Sequence, residues 1–215
     1  MNSWAIVVAA GSGTRYGSRK QYVELAGRPL VEWALEAARK ACSGVVLVVP
    51  ADSIEGGSWG ADKVAAGGET RSESVRAGLA ALPSSAEIVV VHDAARPLAS
   101  ERIWRDVIAA VDAGADAAIP AIAVTDTVKR KGPHGRLETL ERDQLVAVQT
   151  PQAFAAAALR RAHADGEEAT DDAALVERGG GRVALVEGST TNLKITSPSD
   201  LVVARAYLDN KADIK

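Results

Sequence analysis

The stretch that decides the fold lies near the start of the chain and reads Ala5-Ile6-Val7-Val8-Ala9-Ala10-Gly11-Ser12-Gly13-Thr14-Arg15-Tyr16-Gly17-Ser18-Arg19-Lys20. Its first five residues are apolar and stop at a glycine-rich segment, as a buried strand of a parallel sheet does. Glycines let the backbone turn sharply and bring successive N–H groups against an anion. In a parallel sheet such a loop lies at the carboxyl end of its strand, where ligands bind. The loop therefore predicts either an anion site or an ordinary glycine-rich turn.

Two common phosphate-binding motifs do not match this loop. A dinucleotide fingerprint needs a glycine where Tyr16 stands, and the nearest candidate for its acidic ribose ligand, Asp52, lies 39 residues past Gly13. A Walker loop ends in Gly-Lys-Ser/Thr, and residues 17–20 have another order. The segment is distinguished by an excess of cations over acids, which suits a triphosphate. The only acid near it is Glu24, and the cations are Arg15, Arg19, Lys20 and Arg28.

Strands and helices alternate along the rest of the chain. Apolar runs predict further buried strands over Val45–Val49, Ile88–Val91 and Ala117–Ile122. Helical spacing predicts helices at Leu30–Ala38, Thr70–Leu82, Glu101–Val111, Gln152–His163 and Pro198–Leu208. This order predicts an α/β fold, a mainly parallel sheet with helices on both faces. With no repeat, linker or second core visible, residues 1–215 are expected to form one domain.

One segment, residues 125–148, interrupts the alternation. Two polar, extended stretches flank the turn at residues 132–135, which predicts a hairpin too charged to belong to a core. The pattern is typical of a solvated surface excursion, and it also allows an arm that reaches a second subunit.

Composition excludes several classes of protein. The 215 residues carry 25 Lys and Arg against 28 Asp and Glu, a net charge of −3, whereas nucleic-acid binders usually carry a basic surplus. The single Cys42 excludes a disulfide framework and fits a reducing cytoplasm. No apolar run approaches the length of a membrane span, and no basic segment or cleavage site precedes Trp4, so neither an anchor nor a secretion signal is expected.

A second informative segment, His92-Asp93-Ala94-Ala95-Arg96-Pro97, follows a predicted strand. Asp93 either braces a turn with Arg96 or holds a metal ion or substrate hydroxyl beside a phosphate. His92 has no flanking His or Cys and is expected to be a strand-end side chain rather than a metal ligand. Cys42 has no His near it in sequence, so it is expected to be a small buried side chain rather than a nucleophile.

Taken in order along nearly the whole chain, the motifs resemble the 2-C-methyl-D-erythritol 4-phosphate cytidylyltransferase family. They are Ala9-Ala10-Gly11-x-Gly13-x-Arg15, Lys20-Gln21-Tyr22, Gly67-Gly68-x-x-Arg71-x-x-Ser74-Val75, His92 to Pro97, Asp126-Thr127-x-Lys129, Thr150-Pro151-Gln152, Thr170-Asp171 and Asn192-x-Lys194-x-Thr196. The resemblance implies a Rossmann-like nucleotidyltransferase sheet with a protruding β-arm. It also implies transfer of CMP from CTP to 2-C-methyl-D-erythritol 4-phosphate, with release of pyrophosphate, in isoprenoid precursor synthesis.

The resemblance also implies roles for individual residues. Arg15, Lys20 and Lys194 would be catalytic, and Asp93 would hold a divalent metal, Mg²⁺. The nucleotide would be bound by Ala9, Ala10, Gly11, Gly13, Gly68, Arg71, Ser74, Asp93, Ala94 and Arg96. The acceptor would be bound by Thr127, Arg142, Thr150, Thr170 and Lys194. Arg142 would reach the site of a neighbouring subunit, so residues 125–148 would form the arm of a homodimer.

Three positions depart from the family's pattern, and three other functions compete with it. Val8 and Arg19 stand where Pro often occurs, and Glu69 replaces an Asp, which leaves strict preference for CTP less secure. The competing functions are a cytidylyltransferase for another polyol phosphate such as ribitol 5-phosphate, a catalytically silent nucleotide-binding module, and a dinucleotide-dependent reductase. Lys20 and Lys194 disfavour the silent module, and Tyr16 disfavours the reductase.

Overall fold

The structure, a computed structural model, describes residues 1–11 and 19–212, with only the backbone of Lys20, Lys211 and Ala212. The strands are β1 Ser3–Val8, β2 Glu24–Leu25, β3 Arg28–Pro29, β4 Gly44–Val49, β5 Lys63–Ala66, β6 Ile88–Asp93, β7 Ala117–Ala123, β8 Lys129–Lys131, β9 Leu137–Thr139, β10 Val146–Val148, β11 Gln152–Ala155 and β12 Val183–Glu187. The α-helices are α1 Leu30–Ala41, α2 Arg71–Ala81, α3 Glu101–Asp112, α4 Ala156–Ala162, α5 Asp172–Arg178 and α6 Pro198–Ala212. Short 3₁₀ helices span Lys20–Tyr22, Ala51–Gly56, Pro133–Gly135 and Arg142–Gln144.

Eight strands form one sheet with the order β12-β7-β11-β6-β1-β4-β5 across it, and β10 pairs with the carboxyl end of β7 on the same edge as β11. The pairs β6-β1, β1-β4, β4-β5 and β7-β12 are parallel. Strand β11 is antiparallel to both of its neighbours, and β10 is antiparallel to β7. The mainly parallel sheet predicted from the sequence is confirmed.

Both faces of the sheet are covered by helices. Alternate residues of β1 point to opposite faces, as the period of two in a strand requires. Ala5 and Val7 pack in one core with α1 and α3, whereas Ile6 packs in a second core with α2, α4 and α5. Strands β4 and β6 are buried along their whole length, which explains the apolar runs Val45–Val49 and Ile88–Val91 within them.

Most predicted elements are present, and one prediction is wrong. Helices α1, α2, α3 and α6 begin within a residue of their predicted starts. The helix predicted over Gln152–His163 is a strand for its first four residues and a helix only from Ala156 to Ala162. Residues 152–155 lie between β6 and β7 and pair with both, and those ladder bonds override the local helical preference of an alanine-rich segment.

The predicted hairpin is present in residues 129–139. Strands β8 and β9 pair antiparallel around the turn, and the Gly132 N–H donates to the Arg136 carbonyl at 2.8 Å. All six strand residues are exposed, the four charged ones as predicted and the uncharged Leu137 and Thr139 with them. The end of the segment differs from the prediction because Val146–Val148 rejoins the main sheet beside β7. Among the described residues, no helix is long and apolar enough to cross a membrane.

Candidate active site

A cavity of about 430 Å³ opens at the carboxyl ends of β1, β5 and β6. Parallel strands end at the same edge of a sheet, so the three loops that follow them meet there. The cavity is lined by Val8, Ala9, Ala10, Gly11, Gln21, Gly68, Glu69, Thr70, Arg71, Ser74, Asp93, Ala94, Ala95 and Lys194. Ala9 to Gly11, at the start of the glycine-rich loop, and the segment at the end of β6 therefore form one site, although they are far apart in the sequence.

The wall formed by residues 67–70 is held by close packing and by a helix cap. A β-carbon on Gly67 would lie 2.3 Å from the Ala10 β-carbon, so only glycine lets this loop approach the loop after β1. At the start of α2, Glu73 Oε2 accepts from the N–H groups of Glu69 at 2.6 Å and Thr70 at 3.0 Å, and the Thr70 hydroxyl accepts from the Glu73 N–H at 3.1 Å. Because Glu73 takes both backbone donors, they are not available to a ligand.

Asp93, the last residue of β6, lies between two cations. Its Oδ2 accepts from Lys194 Nζ at 2.5 Å, and its Oδ1 accepts from Arg71 Nε at 3.3 Å. Burial by itself raises the pKa of this carboxyl, but the charges of Arg71 and Lys194 outweigh it and hold the pKa well below its usual range. Asp93 is therefore ionised at neutral pH, and it brings Lys194, 101 residues away, to the cavity.

Arg71 connects this carboxylate to a second one inside the protein. Its Nη1 donates to Asp172 Oδ2 at 2.7 Å, and Asp172 Oδ1 lies 3.0 Å from His163 Nε2. Burial disfavours the charge of Arg71, yet Asp93 and Asp172 raise the pKa of the guanidinium above its ordinary value. Burial likewise disfavours the Asp172 carboxylate, but the hydrogen bond from His163 and the charge of Arg71 lower its pKa. No local pattern in the sequence points to Asp172 or His163.

His92 lies behind Asp93 and is fully buried. Its Nε2 is 3.1 Å from the Arg96 carbonyl, its Nδ1 is 3.2 Å from the Thr150 hydroxyl, and its ring packs against Trp104. Burial lowers the pKa of this imidazole to about 4, so it is neutral at pH 7. His92 thus braces the turn after β6, in line with the expectation that it is not a metal ligand.

The chain was compared with families, curated proteins and solved structures. Residues 3–210 match the family model described as 2-C-methyl-D-erythritol 4-phosphate cytidylyltransferase. The enzyme of that name from Rubrobacter xylanophilus is 44% identical, over 95% of this chain and 94% of its own. The crystal structure of the Thermus thermophilus enzyme of that name superposes with a TM-score of 0.81 at 38% identity, over 94% of this chain and 97% of its own.

The chain belongs to the 2-C-methyl-D-erythritol 4-phosphate cytidylyltransferase family. It is a nucleotidyltransferase. Relatives of a second kind, such as the bifunctional enzyme IspD/IspF of Nitratidesulfovibrio vulgaris, are longer, and the chain spans 58% of that enzyme's length at 42% identity.

Several residues expected from the family pattern line the cavity. They are Ala9, Ala10, Gly11, Gly68, Arg71, Ser74, Asp93, Ala94 and Lys194. Gly13 and Arg15 lie outside the described residues, and of Lys20 only the backbone is described. Gln21 and Thr70 also line the cavity but were assigned no role from the sequence. Gln21 is part of the Lys20-Gln21-Tyr22 motif, and that membership was the available signal.

Five of the expected binding residues lie away from this lining. Arg96 is turned under the loop before Lys194, where its Nη1 donates to the Asn192 carbonyl at 2.7 Å. Thr150 is buried behind Asp93 and accepts from the Asp93 N–H at 3.1 Å. Thr127 and Thr170 are exposed, and Arg142 lies in the arm, where it donates to the Thr125 carbonyl at 2.9 Å.

Two of the cations expected near a triphosphate are engaged elsewhere. Arg19 forms an ion pair with Asp52, the residue that had been considered as a ribose ligand. Arg28 pairs with two glutamates of α1, at 2.9 Å from Glu36, and stacks over Trp33 at 4.5 Å. Asp52 lies 33 residues from Arg19, a separation that gives no sign of the contact, whereas Glu32 follows Arg28 by four residues. Both cations are thus neutralised by side chains outside the cavity.

The described residues contain no group of three or more His, Cys, Asp or Glu side chains that could hold a metal by themselves. Mg²⁺, however, is often bound through one or two carboxylates, with substrate phosphates and waters completing its shell. Asp93 is ionised and lines the cavity, and although each of its oxygens already accepts from one cation, an ionised carboxylate has about four lone-pair sites. Its chemistry therefore fits a metal that arrives with a nucleotide, with Asp93 as a protein ligand.

Proposed function

We propose that the cavity beside Asp93 is where this chain transfers CMP from CTP to 2-C-methyl-D-erythritol 4-phosphate and releases pyrophosphate. The observation that carries the proposal is the arrangement around Asp93: an ionised carboxylate with Lys194 and Arg71 on its two oxygens, facing the loop after β1. This arrangement places cations and a carboxylate in a cavity that Ala9, Ala10 and Gly11 also line. The reaction is the one named for the family that the chain belongs to.

The nucleotide would occupy the space between the loop after β1 and the start of α2. Ala9, Ala10 and Gly11 line this space, and apart from the neighbours of Gly11 in the chain no described atom lies within 4 Å of a β-carbon placed on it. Gly68, Arg71 and Ser74 form the opposite wall and would shape the pocket for base and ribose. We propose that Arg15 and Lys20 complete the phosphate site. Glu69 also lines the cavity, so it is positioned to influence the choice of base.

The chemistry needs positioning and charge more than a protein nucleophile. The acceptor's phosphate oxygen attacks the α-phosphorus of CTP, and the bond from that phosphorus to the bridging oxygen of pyrophosphate breaks in line. The attacking phosphate is already ionised and pyrophosphate is a good leaving group, so no general base is required. Lys194, held at the cavity by Asp93, would present a fixed cation to a reacting phosphate oxygen and so stabilise the charge of the transition state.

We propose Mg²⁺ as the metal, with Asp93 as its protein ligand. A bound divalent cation would neutralise phosphate charge and hold the nucleotide in place. Chelation of divalent metal should abolish turnover, and added Mg²⁺ should restore it. Full activity in excess EDTA would remove the metal from this scheme.

We also propose that residues 125–148 form the arm of a homodimer and that Arg142 binds the acceptor phosphate in the neighbouring subunit. The support is that Arg142 lies outside the lining of its own chain's cavity, on a segment that exposes Leu137 and Val146. Complementation tests this. Lys194→Ala and Arg142→Ala chains, each inactive alone, should regain about a quarter of wild-type activity when mixed, because half of the dimers then hold one intact site. No recovery in a mixture shown to exchange subunits would place Arg142 in its own chain's site.

One assay tests the activity itself. Pyrophosphate release is measured with CTP, UTP, ATP and GTP, each combined with methylerythritol 4-phosphate and with ribitol 5-phosphate. The proposal requires turnover with CTP and methylerythritol phosphate to exceed turnover with all other pairs, and preference for ribitol phosphate would reassign the acceptor.

We propose a cytoplasmic location, in keeping with the free thiol of Cys42, the chain's single cysteine.

A further inference from the structure

A buried pair, Asp172 and His163, holds Arg71 from the side opposite the cavity. Asp172 is the first residue of α5 and His163 follows α4, and both side chains are almost completely enclosed, with exposed fractions of 1% and 2%. Asp172 Oδ2 accepts from Arg71 Nη1 at 2.7 Å. Its Oδ1 lies 3.0 Å from His163 Nε2, and because a carboxylate only accepts, that ring nitrogen carries the proton. Asp172 thus uses one oxygen for Arg71 and the other for His163.

The guanidinium of Arg71 is divided between two carboxylates. Nε donates to Asp93 and Nη1 donates to Asp172, while Nη2 has no hydrogen-bond partner among the described residues. A free guanidinium prefers to meet a carboxylate with two parallel N–H···O bonds. Nε and Nη2 form the edge that could meet both oxygens of Asp93, and the bond from Nη1 to Asp172 fixes the guanidinium so that only Nε reaches Oδ1. The second oxygen, Oδ2, is left to Lys194.

We propose that Asp172, oriented by His163, is a positioning residue that restricts Arg71 to one oxygen of Asp93 and so keeps the other oxygen for Lys194. Without the Asp172 carboxylate, Arg71 would turn its paired donors onto both oxygens of Asp93 and displace Lys194. The role rests on the proposed function only in so far as Asp93 and Lys194 serve the phosphoryl transfer. Neither Asp172 nor His163 lines the cavity, so both act through Arg71.

A double-mutant cycle tests whether Asp172 acts through Arg71. Asp172→Asn should lower kcat for the CTP and methylerythritol phosphate reaction by about tenfold to a hundredfold, as expected when reacting groups are misplaced by about 1 Å. In an Arg71→Gln background the same change should alter kcat by less than about threefold, because its target is gone. Equal fold-losses in the two backgrounds would overturn the proposal, as would an Asp172→Asn enzyme within about threefold of wild type. Glu177→Gln, an exposed charge removal on the same helix, is the matched control and should leave kcat unchanged.

His163 gives a second test that leaves Asp172 in place. Gln places an amide nitrogen at the same number of bonds from the backbone as Nε2, so His163→Gln can still donate to Asp172, whereas His163→Ala cannot. We expect His163→Gln to stay within about threefold of wild-type kcat and His163→Ala to fall about tenfold, with both melting above the assay temperature. Equal losses in both variants would show that the ring serves packing and not orientation.

A crystal structure of Asp172→Asn tests the proposal without turnover, and so separates it from the proposed function. We expect Arg71 to contact both oxygens of Asp93 and Lys194 Nζ to lie beyond hydrogen-bonding distance from them. If Arg71 keeps its single bond and Lys194 its contact, the positioning role is wrong whatever the enzyme's substrates are. If the wild-type enzyme shows no turnover with any nucleotide and acceptor pair, the proposed function fails, and the structure still decides the role of Asp172.

Discussion

The burial of His92 predicts that the protein loses stability in mildly acidic solution. An imidazole in an unfolded chain titrates near pH 6.5, whereas burial lowers the pKa of His92 to about 4 in the folded protein. Between these values the unfolded state binds a proton that the folded state does not. Stability from this group is therefore greatest above pH 6.5 and falls as the pH drops towards 4.

The size of the effect follows from the two pKa values. At pH 7.5 the imidazole is neutral in both states and contributes almost nothing. A pH of 5.0 lies about 1.5 units below the pKa of the imidazole in the unfolded chain, so protonation stabilises the unfolded state, and each unit corresponds to about 1.36 kcal/mol. His92 should therefore lower the free energy of unfolding by about 2 kcal/mol between pH 7.5 and pH 5.0. Both pH values lie above the ordinary range of the Asp carboxyls, so loss of the Asp93 and Asp172 charges contributes little in this window.

Urea unfolding followed by circular dichroism measures this quantity at both pH values. His92→Asn and His92→Gln are the comparison variants, because each keeps a polar side chain that does not titrate. The free energy of unfolding that is lost between pH 7.5 and pH 5.0 should be about 2 kcal/mol larger in wild type than in either variant. The contributions of the other histidines are the same in all three proteins and cancel in the difference. If wild type and variants lose the same free energy to within about 0.5 kcal/mol, His92 is not a buried neutral imidazole and the argument from its burial is refuted.

Three further predictions concern the site and the single thiol. Gly67→Ala forces the loops after β5 and β1 apart, so it should lower the free energy of unfolding by about 1–3 kcal/mol and remove much of the affinity for CTP. Urea unfolding and calorimetry measure the two losses. The control is Gly56→Ala, where no described atom lies within 4 Å of the added carbon, and it should change neither quantity. Lys194→Met should lower kcat by about a hundredfold or more in the pyrophosphate assay, because it removes a preorganised cation and leaves Asp93 paired on one oxygen. A loss under about threefold would contradict the catalytic role of Lys194. Burial raises the pKa of the Cys42 thiol to about 12, which keeps the reactive thiolate scarce at pH 8. The native protein should therefore react with a disulfide reagent at pH 8 far more slowly than the protein in urea. Equal rates would contradict the raised pKa.

Much of the cavity could be predicted from local sequence. The strand before Ala9, the strand before Asp93 and the helix that starts at Arg71 each carry a short-range pattern. Because parallel strands end at one edge, placing these elements also brings their end residues together. Ala9 to Gly11 and Asp93 follow from these patterns and Gly68 from the family resemblance, and all of them line the cavity.

The partners of the charged side chains could not be predicted in the same way. Arg19 and Asp52 are 33 residues apart, and Arg71 and Asp172 are 101 apart, with no pattern that relates them. A count of cations near the loop therefore overstated those available to a phosphate. The strand β11 was missed for a similar reason, because its hydrogen bonds come from β6 and β7 rather than from its own neighbours in sequence.

The amino-acid sequence by itself determined the order of strands and helices, the glycine-rich loop and the residues at the strand ends, because periodicity and backbone freedom act over a few residues. The tertiary structure alone decided which charges are free, which are neutralised and which are buried. That decision depends on desolvation and on ion pairs between residues far apart in the chain. In the folded protein Lys194 and Arg71 pair with Asp93, Arg19 pairs with Asp52 outside the cavity, and Asp172 pairs with His163 behind the site.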